Sequence, residues 1–241
     1  MAFPNTVYGK PGWEKQLTSD QRHKLGTRMA FVDGRVYRYA AVGGTGVASG
    51  RLITPVAATA AHDMDLAWSA GAAVGGTTIT TGTSLTVTKD LYKDGWLYTN
   101  DGTGEGQVYP IKSNTAVSGA IGCVFTIDEE DGFVIALTAT SSLFGVMPNQ
   151  YSEIIVQPAS GIAAAAAGVS PTTMTADYYG WVQTWGACAL LNTGTSWVLG
   201  DQLASAETGA AGAAILLDSS GAPDNQSIGY CLGPSHADAD F

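Results

Sequence analysis

A chain of 241 residues with 45% hydrophobic side chains is long enough to bury a core, as one large β domain or two smaller ones, which excludes disorder. Only 13% of residues are charged and Gly fills 31 positions, the composition of a turn-rich, mostly β protein with a polar rather than ionic surface. The net charge of −10 is unevenly spread. Residues 1–51 hold eight Lys and Arg against Glu14, Asp20 and Asp33, a net of +5, and the remainder holds three cations against eighteen carboxylates, a net of −15. An acidic body repels nucleic acid, while a basic leading segment is steered toward acidic protein surfaces.

The sequence shows no secretory signal and no apolar run of about 18 residues for a membrane span, so the expected product is soluble in the cytoplasm where it is made. Cys123, Cys188 and Cys231 lie far apart, are odd in number and lack CxxC spacing, which disfavours a zinc ribbon or a disulfide framework. Each sits among strand-forming neighbours, as a small buried hydrophobe would.

In chain order, residues 1–26 carry Pro4, Gly9, Pro11 and Gly12 with isolated aromatics Phe3, Tyr8 and Trp13. They predict an extended arm that must lie on its own body, a neighbouring copy or another protein. Within it, Thr18 or Ser19 is expected to cap a short helical turn reaching Leu25. Met29, Phe31 and Val32, then Asp33-Gly34, then Val36 to Tyr39 predict a hairpin. Arg51-Leu52-Ile53 begins a strand that Pro55 ends. Residues 57–73 hold the one plausible short helix. His62, Asp63 and Asp65 fall there, and nothing nearby completes a metal-ligand set.

Thr77 to Thr88 alternates as Thr-rich strands do. Residues 89–114 form the clearest element, two alternating strands around Asn100, Asp101, Gly102, Gly104 and Gly106. Trp96 and Tyr98 face one way and Leu97 and Thr99 the other, and Val108 and Pro110 alternate with Tyr109 and Ile111. The Gly-x-Gly-x-Gly run is a hairpin turn and not a dinucleotide fingerprint, because a β-patterned, Pro-containing segment follows it instead of a helix.

Cys123 to Ile127 and Phe133 to Leu137 predict paired strands around the acidic turn Asp128 to Asp131, whose carboxylates lack calcium-loop spacing. Ser152 to Gln157 is a further strand. The Ala-Gly run of residues 161–169 is left open between helix, strand and linker. Tyr179, Trp181, Gln183 and Trp185 share a face of an aromatic strand. Trp197 to Leu199, Ala214 to Asp218 and Ile228 to Gly233 complete a meander. The expected fold is all-β, an antiparallel sandwich or barrel with an N-terminal arm and a hairpin-rich insert. The domains are residues 1–26 as the arm, 27–60 with 175–241 as the barrel or sandwich, and 61–174 as the insert.

His23, His62 and His236 are scattered, and no Gly-x-Ser-x-Gly elbow, Walker loop, HExxH or EF-hand pattern occurs. The expectation is a non-enzyme without catalytic residues, metal or cofactor.

Several islands resemble virion structural proteins of tailed bacteriophages, in particular capsid decoration (cement) proteins. They are Leu25 to Arg28 followed by Gly34 to Tyr39, Asp101 to Asn114, Pro148 to Tyr151, and Gly180 to Gly186. The resemblance implies a β protein that binds the outside of the assembled head, commonly as a homotrimer. Such a protein clamps neighbouring copies of the major capsid protein without binding nucleic acid or membrane. On this reading Lys10, Trp13, Lys15, Arg22, Lys24 and Arg28 dock on the shell, and removing residues 2–26 abolishes binding but not folding. The alternative is a carbohydrate- or receptor-binding tail module in which Trp181, Trp185 and Trp197 stack on sugars, against the simpler reading that these rings fill a core.

Overall fold

A computed structural model describes residues 6–57, 59, 61–139, 141–159, 164–192, 196–206, 209–217 and 226–233. The chain is all-β, its one described helical element a single 3-10 turn at Trp13–Lys15. It forms two compact units. The first comprises residues 1–57 and 150–241, and the second is the contiguous insert 58–149.

The insert therefore ends at Asn149 rather than at 174. The reason is strand pairing: Ile155–Val156 and Gly168–Val169 both bond to Leu52–Thr54, which belongs to the first unit. The leading residues likewise are not a separate arm, since Thr6–Tyr8 pairs with Arg28–Ala30 in the same sheet.

The first unit is built on a seven-stranded sheet. Its strands run, side by side, Thr6–Tyr8, Arg28–Ala30, Val36–Ala41, Tyr179–Trp185, Gly168–Val169, Leu52–Thr54 and Ile155–Val156. The first pair is parallel and the rest are antiparallel. The hairpin between the second and third strands turns where the sequence predicts, with Gly34 at φ 88 and the Phe31 amide donating to the Arg35 carbonyl at 3.0 Å. Alternation then sorts the side chains. Met29, Phe31, Tyr37, Tyr39 and Trp181 form an aromatic cluster on one face. Ala40, Val42, Ile53, Ile154, Met174 and Val182 belong to a second cluster. Each fully buried side chain of Leu or Phe size contributes about 1.5–3 kcal/mol.

A three-stranded sheet, ordered Ala214–Leu216, Gln202–Ser205 and Ser227–Tyr230, completes the described part of this unit. Trp197 to Leu199 is not its return strand. Trp197 fills the small core with Leu203, Ala214 and Cys231, and Val198 enters a turn whose amide donates to Asp201 Oδ2 at 2.8 Å.

The second unit holds an antiparallel six-stranded sheet, in the order Leu66–Ala67, Leu143–Met147, Trp96–Asp101, Val108–Asn114, Val124–Ile127 and Thr78–Thr80. A two-stranded ribbon of Leu85–Val87 and Val117–Ala120 accompanies it. The central hairpin keeps its predicted alternation, and its register sets Trp96 opposite Pro110 and Leu97 opposite Tyr109. One core serves both sheets. Trp68 stacks on Phe144 at 3.6 Å between centroids, and Tyr109 meets Phe133 edge-on at 4.9 Å.

Two expected elements differ. Among the described residues of 57–73 there is no helix, because Leu66 and Ala67 instead pair with Phe144 and Leu143. Nor does Phe133 to Leu137 form a strand. Phe133 and Leu137 anchor its ends in the core while Val134 to Ala136 stand exposed between them.

Candidate docking surface

The leading segment lies on its own unit and reaches it through main-chain bonds. The Gly9 amide donates to the Ala30 carbonyl at 3.0 Å. Thr18 and Tyr179 exchange amide-to-carbonyl bonds at 2.9 and 2.8 Å. The Tyr39 hydroxyl accepts from the Arg22 amide at 3.1 Å and bonds the Thr18 hydroxyl at 3.1 Å. His23 sits against Tyr39 and Trp181, ring centroids 5.1 and 5.4 Å away. Burial, and then the adjacent Arg22 charge, push the His23 pKa down. The expected helical turn after Thr18 is absent, since the Thr18 hydroxyl donates to the Asp20 carbonyl in a bend.

Lys10, Trp13, Lys15, Arg22 and Lys24 are exposed on this segment, and Arg28 is half-buried on its strand. They share one stretch of chain, residues 10–28. Two carboxylates of residues 1–51 are held within the fold, while Asp20 is exposed. Glu14 is 5% exposed and accepts the Gly12 amide at 2.7 Å. Asp33 pairs with Arg35 at 2.7 Å, whose amide and guanidinium hold the Asp33 carboxyl below the usual range. Arg35 also donates to the Tyr37 hydroxyl at 2.8 Å and lies 5.0 Å from the Phe31 ring centroid. Cations thus face solvent while two of the segment's carboxylates are bonded within the fold.

The three tryptophans do not make one stacking surface. Trp181 and Trp197 are 7% and 6% exposed, whereas Trp185 is 72% exposed. Sequence reasoning missed the arrangement that isolates Trp185: a bulge after Gln183 places it opposite Val36. Cys123 and Cys231 are buried, but Cys188, in the loop that follows Trp185, is exposed, contrary to expectation.

The ionisable residues of the insert serve its structure. His62 Nδ1 lies 2.5 Å from the Tyr92 hydroxyl in the core. Burial lowers the His62 pKa against an opposing pull from Asp63, and burial pushes Tyr92 up to about 12. Asp65 and Asn100 bond reciprocally, amide Nδ2 to carboxylate at 2.7 Å and Asp65 amide to Asn100 Oδ1 at 3.3 Å. Among the described residues no three His, Cys, Asp or Glu side chains are arranged to hold a metal ion. His236 lies outside the described residues.

Comparisons with protein-family models, with curated proteins and with solved structures return no match.

Proposed function

We propose that this chain is a capsid decoration protein, which binds the outer surface of an assembled phage head and braces adjacent copies of the major capsid protein, as a homotrimer on the virion exterior. The observation that supports this reading is the electrical asymmetry of the fold. A basic segment displays Lys10, Trp13, Lys15, Arg22 and Lys24 in the loops and the 3-10 turn between Thr6–Tyr8 and Arg28–Ala30, while the rest of the chain is acidic. Exposed cations around a Trp suit adhesion to an acidic protein surface, where steering raises the association rate and aromatic anchors slow dissociation.

Truncation is a poor test. Residues 6–25 supply an edge strand and cover Tyr39 and Trp181, so removing residues 2–26 is expected to disturb the fold. Charge reversal avoids this. Purified wild-type chain mixed with mature heads should cosediment at a fixed ratio to the major capsid protein. The triple variant Lys10→Glu, Lys15→Glu, Lys24→Glu should keep its circular dichroism and lose binding by roughly tenfold or more. Wild-type chain that stays in the supernatant overturns the proposal.

A further inference from the structure

We infer that one corner of the seven-stranded sheet, the part of a face that carries Tyr8, Ala30, Val36 and Trp185 with Arg28 and Arg38 beside them, is a docking platform for an extended acidic segment of protein. Register assembles it. Tyr8 stands opposite Ala30, Ala30 opposite Val36, and Val36 opposite Trp185, so one rung crosses four adjacent strands. Paired residues share a face. The ends of this rung are two exposed aromatics, Tyr8 at 79% and Trp185 at 72%, separated by three strand spacings or roughly 14 Å.

Two residues further along the same face runs the rung Thr6, Arg28, Arg38, Val182. Arg28 and Arg38 are therefore direct cross-strand partners. Like charges in that position destabilise a sheet. Arg38 donates one N–H to the Gly26 carbonyl at 2.9 Å, and among the described residues no carboxylate forms an ion pair with either guanidinium. A carboxylate between them relieves the repulsion and gains two charge-assisted bonds. The face closes within this second rung at Val182 and beyond it at Ala40, both fully buried in a core cluster.

The spacing defines the occupant. In an extended chain residues i and i+2 face the same way about 6.6 Å apart, the distance between the two rungs. A large apolar side chain at i lies over Ala30 and Val36, between the Tyr8 and Trp185 rings. An Asp or Glu at i+2 then reaches the arginines. The floor chooses protein over sugar. Ala30 and Val36 offer no hydrogen bonds, so a hydroxyl-rich ring placed there leaves its polar groups unpaired, at a penalty the apolar side chain does not incur. The identity of the segment as part of a capsid subunit rests on the head-binding reading above; its chemistry does not.

The test uses the full chain and three probes: a capped peptide of sequence Thr-Leu-Thr-Glu-Thr, its Gln analogue, and a soluble polyuronate, with binding followed by titration calorimetry in the wild type and every variant. The Glu peptide should bind roughly tenfold tighter than the Gln peptide. The double variant Tyr8→Ala, Trp185→Ala changes only exposed rings and should retain its fold while losing the Glu peptide, and Arg28→Gln should erase the preference for Glu. Equal binding of the two peptides, preference for the polyuronate, or binding indifferent to these variants overturns the inference. So does self-association of the chain that the double variant abolishes, which assigns the face to a second copy. Cosedimentation with heads separates the two readings. Binding to heads that survives the double variant overturns the assignment of the segment to a capsid subunit and leaves the head reading standing, whereas peptide binding by a chain that ignores heads overturns the head reading and leaves the platform standing.

Discussion

Folding withdraws His62 from water and sets its Nδ1 2.5 Å from the Tyr92 hydroxyl, a hydrogen bond between the ring and the phenol. The folded pKa lies below the ordinary value of 6.5, so between the two values the unfolded chain binds a proton that the folded chain refuses. Stability of the insert is then full above about pH 6.5 and falls as pH drops toward the folded value. Urea unfolding at pH 7.5 and pH 5.5 should show a lower midpoint at the acid pH, with His62→Gln reducing the difference. Tyr92→Phe leaves the imidazole nitrogen buried without its hydrogen-bond partner and is expected to cost about 1–3 kcal/mol at pH 7.5. None of this was legible in the sequence. His62 reads there as one of an acidic trio, and its partner lies 30 positions away. Glu14 likewise counts as a surface charge until the Gly12 amide is seen to hold it.

The central hairpin was legible as two alternating strands and a turn, because period-two alternation and a glycine-dense turn are both local signals. Gly102, Gly104 and Gly106 all adopt positive φ. At Gly102 the demand is double, since φ is +76 and a Cβ would overlap the Ser141 carbonyl. Gly102→Ala should destabilise the insert by well over the ~1 kcal/mol of an unstrained glycine replacement, read as a shifted thermal midpoint. Gly106→Ala, with open space around its Cβ position, should shift it less. The elements that misled were those whose pattern admits two answers. The Ala-rich stretch 57–73 has helical composition, yet Leu66 and Ala67 are held as strand by Phe144 and Leu143, far along the chain. Phe133 to Leu137 is apolar throughout, yet only its two ends are buried. The Tyr8 to Trp185 rung was illegible for a related reason: it needs one parallel pairing and one bulge, neither of which a single strand announces.

At the scale of the whole molecule, the head-binding proposal together with the charge division of +5 on residues 1–51 against −15 elsewhere predicts an association that depends on ionic strength. Raising salt from 50 to 500 mM shortens the screening length from roughly 14 to 4 Å. Head binding by the wild-type chain should weaken across that range, and the triple charge-reversal variant should show a flatter response. The all-β class was legible from composition and from recurring short alternating runs. The domain boundary was less so, since Gly168–Val169 carries no mark of which sheet it joins until Leu52 and Gln183 flank it.

The interruption of the first unit by the second sets an order of events on the ribosome. Val36 meets Thr184 across 148 positions, and at about 5–20 residues per second the strand emerges roughly 7–30 s before its neighbour. The insert, contiguous in the chain, has all its strands available much sooner. Nascent chains stalled soon after the insert clears the exit tunnel should therefore protect residues 58–149 from protease while residues 28–41 are still cut, and the Val36–Ala41 segment is the stretch for which a trigger-type chaperone has the longest opportunity.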